Sequence, residues 1–104
     1  MLFSPLSLPN GSILRNRLAK AAMEEGMADA GQLPGVAIHR LYQRWAQSGA
    51  ALLITGNVMI DSRALTGPGT IALEAGTPLA PFATWAQAAR QHGAQLWMQI
   101  SHPG

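Results

Sequence analysis

Apolar and polar positions alternate between two periods along this chain. Ile38, Leu41, Tyr42 and Trp45 recur at the three-four spacing of one helical face, and the pattern predicts a helix over Val36 to Ser48. Gly49 follows where a left-handed residue ends a helix. Ala50 to Ile54 is then a continuous apolar run, as in a strand buried on both faces of a parallel sheet. Phe82, Trp85, Ala86 and Ala89 repeat the helical spacing between Pro81 and His92, with Gly93 as the stop. Gln95 to Ile100 reads as a further buried strand. Earlier, Phe3 to Leu8 and Ser12 to Leu14 flank Pro9-Asn10-Gly11, a turn signal that predicts a small hairpin. Arg17 to Met23 is read as a strand despite its alanines and Lys20.

The order is hairpin, strand, helix, strand, helix, strand. Each strand-helix-strand unit crosses over right-handed, which builds a parallel sheet. The helix-to-strand connections are tight, at Gly49 and Gly93. The strand-to-helix connections, Glu24 to Gly35 and Thr55 to Ala80, are long. In barrels and doubly wound sheets the ligand site lies on that side, at the C-terminal ends of the strands. The pattern stops after its third strand, with Ser101-His102-Pro103-Gly104 reading as the first turn of another loop. The expectation is an α/β fold that forms the N-terminal part of a (β/α)8 barrel.

Composition narrows the function classes. The 104 residues are 48% hydrophobic and only 12% charged, about half the usual share of roughly 25%, which suits a covered parallel sheet. Seven basic and five acidic residues leave a charge of +2. Arg15, Arg17 and Lys20 are close together, but the other arginines are dispersed, which argues against a nucleic-acid face. No run approaches the roughly 20 apolar residues of a membrane span, and the first residues lack the pattern of a signal peptide. Cysteine is absent, which removes disulfides and thiol chemistry and fits the cytoplasm.

Candidate chemistry gathers at three strand ends: Ala21-Ala22-Met23-Glu24, Thr55-Gly56-Asn57 and Gln99-Ile100-Ser101-His102. They offer a carboxylate, two amides, a hydroxyl and an imidazole among small residues. That set suits hydrogen bonding to a flat heteroaromatic ring, with no partnered nucleophile. Gln99 stands out, because an amide embedded among Trp97, Met98 and Ile100 needs partners. His39, His92 and His102 fit no metal spacing. His39 and His92 are expected on helix surfaces, and Trp45 and Trp85 in the core. Gly67-Pro68-Gly69 is a turn without the lysine of a phosphate loop. Glu24-Glu25 reads as a solvated acidic pair or, alternatively, a catalytic one. Trp97 is open to either face of the sheet.

Leu2-Phe3-Ser4-Pro5-Leu6, Asn16-Arg17-Leu18, Ala21-Ala22-Met23, Leu53-Ile54-Thr55-Gly56-Asn57 and Gln95 to Gly104 together resemble the opening of the old yellow enzyme family, the NADH:flavin oxidoreductases. The resemblance runs over essentially the whole chain, and it implies residues 1–104 of an FMN-binding barrel domain, cut after its third strand. It implies hydride passage from NAD(P)H through FMN to an activated alkene or related small-molecule acceptor. By the same resemblance Ala21, Ala22, Met23 and Glu24 line the flavin, Gly56 and Asn57 abut it, and Gln99 bonds its pyrimidine edge. His102 begins a structural segment.

The family often has Pro where Ala22 stands and Thr or Cys where Glu24 stands. An ionised Glu24 is then expected to lower the flavin potential. The family's substrate-anchoring, proton-donating and phosphate-binding residues lie on later strands, so no catalytic residue is assigned here and the chain alone is expected to be inactive. The alternative is a non-catalytic α/β module that survives by oligomerising or by docking to a partner.

Overall fold

A computed structural model describes residues 1–104. It has six strands and two α-helices: β1 (Leu6–Ser7), β2 (Ile13–Leu14), β3 (Ala19–Lys20), α1 (Val36–Ala46), β4 (Leu52–Met59), β5 (Ile71–Ala72), α2 (Ala80–Arg90) and β6 (Gln95–Ser101). β1 and β2 form the expected hairpin, antiparallel with Leu6 opposite Leu14. Gly11 takes φ +90°, and the Asn10 side chain accepts from the Ser12 amide at 2.9 Å.

β4 is the centre of a parallel sheet. β6 pairs along one of its edges, from Leu52 opposite Gln95 to Met59 opposite Ser101. β3 pairs with its beginning, Ala19 opposite Leu52, and β5 with its end, Val58 opposite Ile71. Helices α1 and α2 cover one face. Their core holds Ile38, Tyr42, Leu53, Val58, Phe82 and Trp85. Tyr42 meets Trp45 and Trp85 edge-on at 5.0 and 5.3 Å between ring centres. The hairpin packs against the opposite face, where Leu14, Ala51 and Leu52 are buried with Leu6, Leu8 and Ile54 beside them.

The helices end two residues earlier than the sequence reading, at Ala46 and Arg90, the first hairpin strand is shorter, and the three strands of the parallel sheet that were expected also differ in extent. β3 spans two residues rather than Arg17 to Met23. The buried Asn16 side chain accepts from the Leu18 and Ala51 amides and donates to the Gly49 carbonyl, taking over part of the pairing there. β4 continues through Thr55, Gly56 and Asn57 to Met59, so Gly56 and Asn57 lie within the strand. It is longer because β6 pairs with it as far as Met59, and because β5, hidden in a Gly-, Pro- and Thr-rich stretch, returns to pair with Val58 and Met59 on the other edge. β6 likewise takes in Ser101.

Arg15 and Arg17 tie the lower end of the sheet rather than forming a basic face. Arg15 donates to the carbonyls of His92 and Ala50, and Arg17 to that of Pro5. No helix is long and apolar enough to cross a membrane.

Candidate functional site

Parallel pairing brings the ends of β3, β4 and β6 to the same side of the sheet, as the loop lengths predict. What places the side chains there is a bulge in β4. Ile54 is opposite Trp97 and Asn57 is opposite Gln99, so two residues of β4, Thr55 and Gly56, stand against Met98 alone. Uninterrupted alternation would turn Asn57 toward the helices and Val58 away from them. With the bulge, Val58 stays in the core and Asn57 shares a face with Ile54, Trp97 and Gln99.

Trp97 therefore faces away from the helices, on the side where the hairpin lies. Gln95, two residues before it, donates to the Ile13 carbonyl of the hairpin at 3.2 Å. The hairpin covers one end of this face, and Asn57 and Gln99 occupy the other.

Gln99 is exposed rather than embedded. β6 pairs with β4 only, so its outer side is open, and Trp97 and Ile100 are 42% and 67% exposed. The Gln99 backbone N–H donates to Thr55 Oγ1 at 3.0 Å across the bulge. Asn57 is half-buried. Neither side-chain amide is engaged within the chain, so both present donors and acceptors to whatever occupies this face.

The segment after β3 borders the same site. Ala21, Met23 and Glu24 are exposed and Ala22 is half-buried. Glu24 accepts from the Thr66 hydroxyl at 2.5 Å, and the Ala28 amide donates to the Gly69 carbonyl at 2.9 Å. These contacts clasp the two long loops together. Within the second loop Arg63 holds Asp61 at 2.9 Å and lowers its pKa to about 2, while Glu74 accepts from the Ser62 amide.

Gly56 is buried and turned toward this segment. A β-carbon on it would collide with the Met23 carbonyl and with Glu25. The structure thus joins Met23, Glu24 and Gly56 in one contact, and Asn57 with Gln99 in another.

Glu25 has a role that sequence reasoning missed. Its Oε2 accepts from the Gly56 amide at 3.1 Å and from the Tyr42 hydroxyl. Lys20 Nζ lies 3.4 Å from that hydroxyl and 4.6 Å from the centre of the Trp45 ring. Burial lowers the Lys20 pKa, opposed by the charge of Glu25. Burial and then the bond to Glu25 raise that of Tyr42, which keeps its proton as a donor. The available signal was Tyr42 itself, since a phenol on a buried helix face needs an acceptor. His39 also departs from expectation: its Nε2 meets the Pro81 carbonyl at 3.1 Å and links the helices. No three His, Cys, Asp or Glu side chains cluster to hold a metal ion.

No family model matches the chain. Over 104 residues it is 42% identical to an NADH-dependent flavin oxidoreductase of Hypocrea jecorina (strain QM6a), covering 96% of this chain and 26% of that protein. A second relative with the same description, from Talaromyces variabilis, is 35% identical over 107 residues, covering 99% of this chain and 26% of its own length. The fold superposes on an old yellow enzyme homologue from Zymomonas mobilis with a TM-score of 0.85 at 21% identity, covering 99% of this chain and 28% of that one. The chain is similar in sequence to flavin oxidoreductases over nearly its whole length, and its fold is that found in old yellow enzymes.

The chain spans about a quarter of the length of the curated relatives it matches, 26% in both cases. Its fold corresponds to the N-terminal part of the old yellow enzyme barrel.

Proposed function

We propose that residues 1–104 form the opening part of an FMN-binding barrel domain in an NADH-dependent oxidoreductase. FMN held there would supply hydride transfer from NAD(P)H to a small-molecule acceptor, an activated alkene or related compound. The observation that carries this reading is the pairing of Asn57 and Gln99, two free amides side by side at the strand-end side of the sheet. Two adjacent primary amides match the alternating donors and acceptors of a pyrimidine edge. Met23 and the small residues Ala21 and Ala22 border the same place and suit the close approach of a flat ring.

In this reading the chain's own residues bind and orient. Gln99 and Asn57 hold the polar edge, Ala21 to Met23 pack along the ring, Gly56 fixes the strand, and Glu24 sets the local charge. Groups that anchor the acceptor or donate a proton belong to later strands. The relatives' description as NADH-dependent flavin oxidoreductases supports the same cofactors. The proposed compartment is the cytoplasm. The open side of β6 suits addition of a further strand, from a longer chain or from a second copy.

The test is FMN binding by the full-length protein that carries this segment. Retained FMN whose absorbance NADH bleaches anaerobically, together with weakened binding on Gln99→Ala, is the expected result. Failure to bind FMN would sink the proposal.

A further inference from the structure

Between the two strands that pair with the same edge of β4 there is a gap. β3 ends its pairing at Lys20 opposite Leu53, and β5 begins at Ile71 opposite Val58. In the gap the Gly56 amide points to the edge with no strand to receive it, and Glu25 Oε2 accepts it at 3.1 Å. The same oxygen accepts from the Tyr42 hydroxyl, which anchors it to the core of α1. The carboxylate reaches this amide because Gly56 has no side chain, since a β-carbon there would fall on Glu25. Gly56 is also one of the two bulge residues that set the facing of Asn57.

We infer that Glu25 is a positioning residue: its carboxylate stands in for the missing strand, locks the β4 bulge, and so holds Asn57 beside Gln99. A backbone amide accepted by an anchored carboxylate is held more firmly than one left to water. Loss of that acceptor frees the bulge to shift, and a one-residue shift turns Asn57 off its face. The ligand side of this inference rests on the FMN reading above; the backbone side does not.

The experiment uses Glu25→Ala and Glu25→Gln in the full-length protein, with amide hydrogen exchange and FMN titration as separate readouts. Glu25→Ala is expected to speed exchange at Gly56 and Asn57 by about tenfold or more, to leave Leu52 and Leu53 unchanged, and to weaken FMN binding by about tenfold. Glu25→Gln keeps an acceptor oxygen and should return both readouts most of the way. Unchanged exchange at Gly56 and Asn57 in Glu25→Ala overturns the inference, whatever FMN does. If the wild-type protein binds no FMN, the functional reading fails and the exchange data alone decide the role of Glu25. Should Glu25→Ala not fold, Tyr42→Phe loosens the same carboxylate and should speed exchange at Gly56; no change there overturns the inference equally.

Discussion

Asn57 and Gln99 stand opposite one another across the β4–β6 ladder, on the face that Ile54 and Trp97 share. The bulge at Thr55 and Gly56 makes them neighbours, and neither amide serves the fold. Binding and stability should therefore separate. Asn57→Ala and Gln99→Ala are each expected to weaken FMN binding by about tenfold in the full-length protein, the usual worth of one hydrogen bond. Unfolding free energy should move by less than about 0.5 kcal/mol, as for surface substitutions. Fluorescence titration of FMN beside chemical denaturation checks both. A stability loss with unchanged FMN binding would contradict this assignment.

The helices, the hairpin and the order of the sheet were legible because periodicity, Pro81, Gly49 and Pro9-Asn10-Gly11 all pointed the same way. The end of β4 was not. Thr55-Gly56-Asn57 has turn-forming composition, and tertiary pairing keeps the strand going: Asn57 to Met59 pair with Gln99 to Ser101, and Val58 and Met59 also with Ile71 and Ala72. The strand-end residues were legible as a palette, but their facing depended on a bulge that no pattern announces. Glu25 was hidden for a related reason: its partners, Gly56 and Tyr42, are far away in sequence. Gln99 looked buried from its neighbours alone, whereas its exposure follows from its place on a flanking strand.

Gly56 and Gly49 should respond differently to alanine. Gly49 has φ +87° but nothing within 4 Å of an added β-carbon, so Gly49→Ala meets backbone strain alone, about 1–2 kcal/mol. Gly56→Ala puts its methyl against the Met23 carbonyl and Glu25. It should cost about 1–3 kcal/mol from overpacking and also weaken FMN binding, because the bulge moves. Denaturation and FMN titration of both variants provide the comparison. Equal FMN affinity in the two would count against the role of the bulge.

Lys20 gives the fold an alkaline signature. Burial beside Tyr42 and Trp45 lowers its pKa from 10.5, with Glu25 opposing. The unfolded chain then holds this proton more tightly than the folded one, so stability rises with pH between the lowered value and 10.5 and levels off above it. Lys20→Met should remove that rise while leaving other titrations in place. The difference in melting temperature between the two proteins, followed from neutral pH to 10.5, should shrink steadily. A difference independent of pH would show that Lys20 is not desolvated.

Residues 1–104 produced alone should self-associate and lack reductase activity. β6 leaves one side unpaired, and Trp97 and Ile100 are exposed beside it. Unpaired edges with apolar side chains recruit other strands. Light scattering is expected to show aggregates or an oligomer, and Ile100→Lys should reduce the association. A monodisperse monomer that turns over NADH would contradict this expectation.

Glu24 offers the most direct handle on the chemistry. It is exposed in the segment that borders Gly56, and its Oε1 accepts from the Thr66 hydroxyl at 2.5 Å. A carboxylate at this place disfavours the negative charge that a flavin gains on reduction, so the potential is held down. Glu24→Gln removes the charge, keeps the size and retains an acceptor for Thr66. The flavin potential of the full-length protein should rise by an amount on the order of tens of mV, since about 30 mV corresponds to a tenfold-scale energy of 1.4 kcal/mol for two electrons and solvent screens an exposed charge. Thr66→Val should shift the potential the other way by a smaller amount, because it leaves the carboxylate charge without its donor. Redox titration against dyes of known potential measures both shifts, and a Glu24→Gln potential equal to that of the wild type would remove Glu24 from the flavin environment.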